Sequence, residues 1–459
     1  MIHATLQQLQ HAIPGSELRG DATFTGLSTD SRQIAAGNCF VALRGEHFDA
    51  HQFLMQVQDA GAAAMVVEHV PEGLTCPVLI VPDTKQALLA IGRFWRQQFS
   101  IPVIGVTGSN GKTTVKEMIS SILVVAVGAE HMLATKGNLN NEIGVPLTVL
   151  RFTNEVKAAV VELGMNHPGE IAAISATALP TVALVNNAQR EHQEFMQTVE
   201  AVAIENGQVI RALPANGIAV FPAQDTYTAI WQNFVAELPG RKAITFGLSS
   251  AADVYADVEV LAFGSQLQIH AQGQSVKVTL AAAGQHNVLN ALAASACCLA
   301  AGISLSVIAQ GLENFSPVAG RLQPKQAVAG ARVIDDTYNA NPDSVRAAID
   351  VLAAQVENTS LVLGDMGEVG ADGAAFHREI GEYAKQKGVR SLFTLGQLAE
   401  ASSTAFGEGA QHFSELESLL VALQEKQSAG NTILVKGSRF MKMERVVGHL
   451  TGTVTSAKH

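Results

Sequence analysis

Short apolar runs alternate with helix-like stretches along this chain, and Gly-rich turns separate them; the pattern predicts an α/β protein built in several units. In residues 1–83, the run Phe40-Val41-Ala42-Leu43 reads as a strand, 51–60 as a helix and 64–67 as the next strand. Pro77 and Pro82 lie near the end of this region, and a linker helix over 85–99 leads onward. The middle region, 84–314, has the apolar run 103–106, a Gly-rich turn and a helix over 112–127, which is the strand–turn–helix unit of an α/β sheet. Residues 158–163 and 182–186 are runs of Val, Ala and Leu without alternation, as expected of parallel strands covered on both faces. Residues 254–280 alternate instead (Val276, Val278, Leu280), which predicts an antiparallel insert. In 315–459 the α/β rhythm returns, with strands at 332–334, 361–363, 392–395 and 433–435 and a helix over 344–355, predicting a second doubly wound sheet.

At 459 residues the chain is too long for one ordinary core, so two to four domains are expected; 47% hydrophobic and 15% charged residues exclude extensive disorder. A net charge of -11, with no Lys/Arg-rich run, argues against a nucleic-acid partner. An anionic substrate would need a local pocket that works against the global field. Cys39, Cys76, Cys297 and Cys298 form no CxxC pair and read as reduced, cytoplasmic thiols. No export signal is legible at the start of the chain. The Ala-rich stretch 291–308, which has three serines, a glycine and no basic flanks, reads as a buried helix, so no membrane insertion is expected.

The strongest chemical signal is Thr107-Gly108-Ser109-Asn110-Gly111-Lys112-Thr113-Thr114. Glycines let successive N–H groups turn toward phosphate oxygens, and the helix that follows adds its positive end. Lys112 can reach β- and γ-phosphates, while Thr113 or Thr114 can offer a hydroxyl to Mg²⁺. The strict phosphate-loop formula asks for glycine five positions before Gly111, where Val106 stands. The placement after an apolar run and before a helix nonetheless fits ATP binding.

Ligands collect beyond the carboxyl ends of parallel strands. One such end carries Glu162, followed by Asn166, His167 and Glu170; another carries Asn186, with His192 six residues on. Glu162 and His192 are candidate Mg²⁺ ligands, although Mg²⁺ favours oxygen, and on residue type alone His192 reads first as an ordinary loop histidine. Residues 135–146 (TKGNLNNEIGVP) form a polar loop whose asparagines suit an amide or sugar ligand, or a plain surface loop.

Taken in order, GVTGSNGKTT (105–114), TKGNLNNEIGVP (135–146), ELGMNHPGEI (162–171), GQHNVLNALAA (284–294), Gly320-Arg321, DDTYNANPDS (335–344), LVLGDMGEVG (361–370) and LVKGSR (434–439) resemble the Mur ligase family. The likeness covers nearly the whole chain and is strongest to members that join D-Ala-D-Ala to UDP-MurNAc-tripeptide. Residues 28–51 resemble the uridine-nucleotide region of that group.

The resemblance implies a UDP-sugar-binding domain over 1–83, a central ATP-binding domain over 84–314 and a mobile Rossmann-like domain over 315–459. It implies an enzyme that makes UDP-MurNAc-pentapeptide for peptidoglycan; the expectation for the assembly is a monomer, and for the setting, from the cysteines, the cytoplasm. ATP would phosphorylate the tripeptide carboxylate, and the D-Ala-D-Ala amine would attack the acyl phosphate. Carried over by position, Lys112, Glu162 and His192 are catalytic, and Thr113, Glu162 and His192 contact metal. Gly108, Ser109, Asn110, Gly111, Lys112, Thr113 and Thr114 hold the ATP phosphates. Asn287 and Asn290 lie near adenine, and Arg321, Asp336 and Tyr338 reach ATP from the third domain. Ser31 and Arg32 face UDP; Thr135, Asn138, Asn140 and Asn141 hold the muramoyl peptide; Asn339, Asn341 and Ser344 are candidates for the dipeptide.

One position departs from the family. Many relatives carry a lysine, modified to a carbamate, in an AKGE segment after the metal histidine, where it helps to hold a second Mg²⁺. Here that segment is Ala203-Ile204-Glu205-Asn206-Gly207-Gln208, and no carbamate can form on Asn206. The expectation is that a second metal is held by Glu205 or water, or more weakly.

Rival readings are a sister ligase that adds an amino acid, a folylpolyglutamate synthetase, a phosphate-loop switch or motor, and a non-catalytic nucleotide sensor. The NANPDS stretch (339–344) and the lack of a DNPR-type sequence argue against the sister ligase. The UDP-like N-terminal region argues against the synthetase. A strand that ends in Glu162, not Asp, argues against the switch.

Overall fold

The computed structural model describes residues 1–46, 48–261, 263–355 and 358–453. Three sheet-centred units follow one another along the chain, as the alternating pattern predicts. The first is a five-stranded sheet in the order Glu17–Arg19, Val78–Ile80, Ala64–Val67, Cys39–Val41, Leu27–Ser28, with a small pair of His3–Thr5 and Thr23–Thr25 beside it. The expected helix over 51–60 is instead a 3-10 turn, Ala50–Phe53, that runs into a short helix, Leu54–Asp59. Asp49 caps the turn through the His51 N–H. The linker helix is Thr84–Arg96, capped by Asp83.

The second unit is a nine-stranded sheet. The strand Val103–Thr107, third from one edge, is flanked by Ala158–Glu162 on one side and Val182–Val185 on the other, all parallel. Every residue of these three strands is buried, which accounts for the lack of alternation. Helices Lys112–Val127, Gln285–Ala300 and Leu305–Glu313 cover one face; Glu170–Ala178, Val199–Arg211 and Thr228–Ala236 cover the other. The alternating segment 254–280 forms the strands Val254–Leu261, Gly264–Ala271 and Gln274–Leu280. The last two pair antiparallel, but the first also pairs parallel with Lys242–Gly247, so the segment extends the main sheet instead of standing apart from it.

The buried helix expected over 291–308 is two helices, broken between Ala300 and Leu305, where Gly302 takes φ +84°. No described helix is long and apolar enough to cross a membrane.

The third unit is a six-stranded sheet ordered Gln323–Gln326, Arg332–Asp336, Asn431–Lys436, Asn358–Gly364, Ser391–Leu395, Ala410–Phe413. It is parallel except for its first strand, a polar edge that contains Pro324. Separate apolar clusters lie on its two faces, so it is doubly wound.

Candidate functional site

The strand Val103–Thr107 of the large sheet lies where the chain order reverses, between the strands that deliver Glu162 and Asn186. Such a switch point opens a crevice at the strand ends. The loop Gly108–Gly111 leaves the strand into that crevice and becomes the N-terminus of Lys112–Val127. Gly108 sits at φ +128°, and a Cβ there would lie 2.9 Å from Asn186 Cβ and 3.0 Å from the Asn186 amide nitrogen. Gly111, the helix N-cap, sits at φ +83°, with Asn186 Nδ2 2.7 Å from where a Cβ would be. Both glycines are therefore required by backbone conformation and by space.

Polar side chains brace the loop from below. The Gly108 N–H donates to Asn206 Oδ1 at 3.0 Å, and Thr107 Oγ1 donates to Leu184 O at 2.8 Å. The Asn110 N–H donates to Asn187 Oδ1 at 2.9 Å, and Asn110 Nδ2 to Gln189 Oε1 at 2.6 Å. The Gln189 N–H donates to Ser109 Oγ at 2.9 Å. Gly108, Ser109 and Asn110 therefore use their N–H groups, and Ser109 and Asn110 their side chains, to hold the loop. The phosphate-directed donors are thus the N–H groups of Gly111 and of the first turn of the helix at Lys112, Thr113 and Thr114. Asn287, Asn290 and Asn186 form an amide chain under Gly111: Asn290 Nδ2 donates to Asn287 Oδ1 at 3.1 Å, and Asn186 Nδ2 to Asn290 Oδ1 at 2.9 Å. Thr114 is buried at the start of the helix.

Lys112 Nζ donates to Gly108 O and, at 3.1 Å, to Ser109 O; it lies 3.3 Å from Glu191 Oε2. Next to it, Thr113 Oγ1 donates to Glu162 Oε1 at 3.2 Å and accepts from Arg321 Nη2 at 2.9 Å. Glu162 is 2% exposed. Its Oε1 also accepts from Asn140 Nδ2 at 2.8 Å, and its N–H donates to Thr135 Oγ1 at 3.0 Å. Glu162 Oε2 is buried with no hydrogen-bond partner among the described residues. A hydroxyl and a bare buried carboxylate oxygen side by side are hard oxygen donors, the type Mg²⁺ takes. No preformed group of three His, Cys, Asp or Glu exists among the described residues, so phosphate oxygens and water would have to complete such a site.

Thr135 and Asn140, expected at the muramoyl peptide, thus position Glu162. Asn141 Oδ1 accepts the Ile143 and Gly144 N–H groups, and Asn138 is exposed. A cavity of about 740 Å³ opens beside this loop, lined by Glu117, Ser120, Thr135, Lys136 and Arg151 among others.

His192, at φ +47°, does not join Thr113 and Glu162 in a cluster. Its Nδ1 lies 2.5 Å from Glu368 Oε2 of the third unit, which holds the Glu368 carboxyl below its ordinary range. Arg321 lies over the Tyr338 ring, 4.2 Å from its centre. Both Asp336 oxygens are bonded within the third unit: Lys436 Nζ donates to Oδ2 at 2.6 Å, and the Leu322 N–H to Oδ1 at 3.1 Å. Burial raises the Asp336 carboxyl above the ordinary range against the pull of Lys436.

Asn341 caps the helix Pro342–Ala353 with Ser344 in a reciprocal capping box, and its Nδ2 reaches Asn110 Oδ1 at 2.9 Å. Asn339 is exposed and closes on the Ala340 N–H. Ser31 lies in a 3-10 turn capped by Asp30, far along the chain from the loop. Arg32 grips Asp30 through Nε and Nη2, both at 2.9 Å, and this hydrogen bonding holds the Asp30 carboxyl down at about 2.

Several residues of this crevice carried no assigned role in the sequence reading. Asn187, Gln189, Arg190 and Glu191 follow a strand end as NNAQREH (186–192), and that position was their only signal. Arg190 is the largest of these omissions: it donates to Asp343 (2.6 Å) and Glu379 (2.7 Å) of the third unit. Burial works against its charge, but the two carboxylates outweigh it and raise its pKa. Glu205, the expected holder of a second metal, faces elsewhere; its Oε1 accepts the Ile171 N–H at 2.9 Å, at the start of a helix.

Comparison with known proteins finds two family descriptions in this chain: Mur ligase middle domain over residues 106–298, and Mur ligase, glutamate ligase domain over 320–439. A UDP-N-acetylmuramoyl-tripeptide–D-alanyl-D-alanine ligase of Escherichia coli K12 is 40% identical over 453 residues, covering 97% of this chain and 98% of its own. A crystal structure of MurF from Acinetobacter baumannii superposes with a TM-score of 0.91 at 35% identity, over 99% of this chain and 100% of that one. The MurF ligase of Thermotoga maritima, solved in complex with ADP, superposes with a TM-score of 0.83 at 25% identity, over 93% of this chain and 97% of that one.

Proposed function

This chain belongs to the Mur ligase family, and from that premise we propose how its crevice carries out the ligation. The enzyme joins D-Ala-D-Ala to UDP-MurNAc-tripeptide at the expense of ATP, giving ADP, phosphate and UDP-MurNAc-pentapeptide for peptidoglycan.

A carboxylate is a poor acyl donor because its leaving group would be oxide. Transfer of the γ-phosphoryl group to the tripeptide's terminal carboxylate oxygen turns that oxygen into a phosphate leaving group and releases ADP. The D-Ala-D-Ala amine then attacks the carbonyl carbon, the tetrahedral intermediate forms, the amine loses its proton, and the C–O bond to phosphate breaks. Phosphoryl transfer is mostly positioning and charge neutralisation. The N–H groups of Gly111 and of the helix start at Lys112, Thr113 and Thr114 cradle the phosphates, and Lys112 leaves its carbonyl partners to meet the β- and γ-oxygens.

Thr113 and Glu162 would hold Mg²⁺, which supplies charge neutralisation and alignment of the phosphates when bound. The single observation that carries this reading is the partnerless, buried Glu162 Oε2 beside the Thr113 hydroxyl, one residue from Lys112. Arg321, already on Thr113, reaches the phosphates from the third unit, with Tyr338 holding its guanidinium flat. Asn287 and Asn290 serve the base side of the nucleotide, Ser31 and Arg32 the uridine diphosphate, and the loop over 135–141 the muramoyl peptide. His192 is a further metal contact once Glu368 releases it. The dipeptide enters from the side of Asn339 and Asn341. ATP dependence and four free cysteines support a cytoplasmic setting.

The test is phosphate release with ATP, Mg²⁺, UDP-MurNAc-tripeptide and D-Ala-D-Ala, omitting each in turn. Release should need both acceptor substrates, the pentapeptide should appear by mass, and Lys112→Ala should lower turnover at least about 10²-fold. ATP turnover independent of both acceptors would refute the ligase reading.

A further inference from the structure

Glu191 has no place in the site as read so far. It is 6% exposed, with Oε2 3.3 Å from Lys112 Nζ and Oε1 3.5 Å from Asn206 Nδ2, and His192 Nε2 lies 3.9 Å from Oε2. A carboxylate this buried persists only while a positive charge faces it. In the nucleotide-free chain that charge is Lys112.

When ATP binds, Lys112 is drawn to phosphate oxygens. Glu191 is then left beside a polyanion in a water-poor crevice, where like charges repel strongly. A divalent cation between the carboxylate and the phosphate would resolve the conflict. Asn206 fits the same arrangement. Its Oδ1 is fixed by the Gly108 N–H, so its neutral Nδ2 is held toward Glu191. Asn206 stands where lysine-bearing members of the family would place a charged group, and an amide cannot carry that charge. Glu205, next to it in sequence, is committed to the Ile171 N–H.

We propose that Glu191 supplies the anionic oxygen ligand for a second divalent cation at the Lys112 end of the nucleotide loop, with Asn206 as its positioning residue. The proposal rests on the nucleotide reading above, and its test separates the two. Mn²⁺ is titrated into the full chain with β,γ-imido ATP, and bound metal is counted by electron paramagnetic resonance.

The wild type should bind two Mn²⁺ per chain. Glu191→Gln should bind one, with the remaining site and the nucleotide affinity changed less than about threefold. Should Glu191→Gln fail to fold, Glu191→Asp, which withdraws the carboxylate by one methylene, should weaken only the second Mn²⁺, at least about tenfold. Two equally tight Mn²⁺ in either variant, or one in the wild type, overturns the proposal and leaves the nucleotide site standing. If the wild type does not bind the ATP analogue at all, the nucleotide reading fails, and the proposal fails with it.

Discussion

The two oxygens of Glu162 are used differently. Oε1 is held by Thr113 and Asn140, while Oε2 is left bare in a buried setting. Leaving a buried acceptor unpaired costs about 1–3 kcal/mol, so its persistence fits an oxygen reserved for a ligand. Glu162→Gln keeps the shape and the Oε1-side contacts but removes the charge. It should lower turnover at least about 10²-fold and raise the Mg²⁺ concentration needed for half-maximal rate, both read from a Mg²⁺ titration of phosphate release. At this scale the sequence went part of the way. Glu162, Thr113 and Lys112 were legible because each sits at a fixed step from a strand end or a helix start. Thr135 and Asn140 were legible as polar loop residues only. Their role in orienting Glu162 depends on which strand end lies next to the loop, and no local pattern encodes that.

Among the elements, the loop from Gly108 to Gly111 is the most constrained. Gly108→Ala must accept φ +128° and a Cβ 2.9 Å from Asn186 Cβ, so the strand end at Asn186 or the loop itself has to move. The N–H groups that the loop sets at Gly111 and the helix start tolerate little displacement relative to phosphates. The variant should therefore stay folded by circular dichroism but lose ATP-analogue affinity at least about tenfold by calorimetry. Elements set by strong local patterns were legible: the three buried parallel strands, the helix Lys112–Val127 and the alternating hairpin. The stretch 291–308 was read as one helix because alanine, serine and cysteine carry no strong stop signal. The chain breaks there at Ala301–Ser304, around Gly302. Edge strands such as Gln323–Gln326 and Ala410–Phe413 escaped notice because their partly exposed, polar residues make no apolar run.

For the whole molecule, the nucleotide loop and the third unit meet through Arg190, Asn341, Arg321 and His192. Arg190, with Asp343 and Glu379, is the strongest of these links. Its hydrogen bond holds the Glu379 carboxyl below the ordinary range, against the effect of burial. A carboxyl depressed in the folded state contributes stability above its ordinary pKa, about 4.3, and that stability is lost as pH falls through the lowered value. Thermal unfolding should therefore show wild type above Glu379→Gln at neutral pH, with the two converging as pH falls below about 4; a constant gap would count against the link. Arg190→Ala should loosen the contact between units. Small-angle scattering should show a larger radius of gyration for the free variant than for the wild type, and compaction when ATP analogue and UDP-tripeptide are added.

By itself the sequence determined what short-range forces decide. Glycines at 108 and 111 set the loop's left-handed turns, an unbroken apolar run set a buried strand, and the helix start set Lys112 and Thr113 side by side. The three-unit α/β class followed from these local patterns taken in order, and the ligase chemistry from the resemblance that the ordered motifs carry. Only the tertiary structure decided which distant side chains share the crevice: Asn206 on Gly108, 98 residues away; Glu191 on Lys112, 79 away; and Asp343 on Arg190, 153 away. The reason is physical. Local sterics and hydrogen bonds act within a few residues, whereas convergence depends on strand order in the sheet, and that order, fixed by packing on both faces, is not the order of the chain.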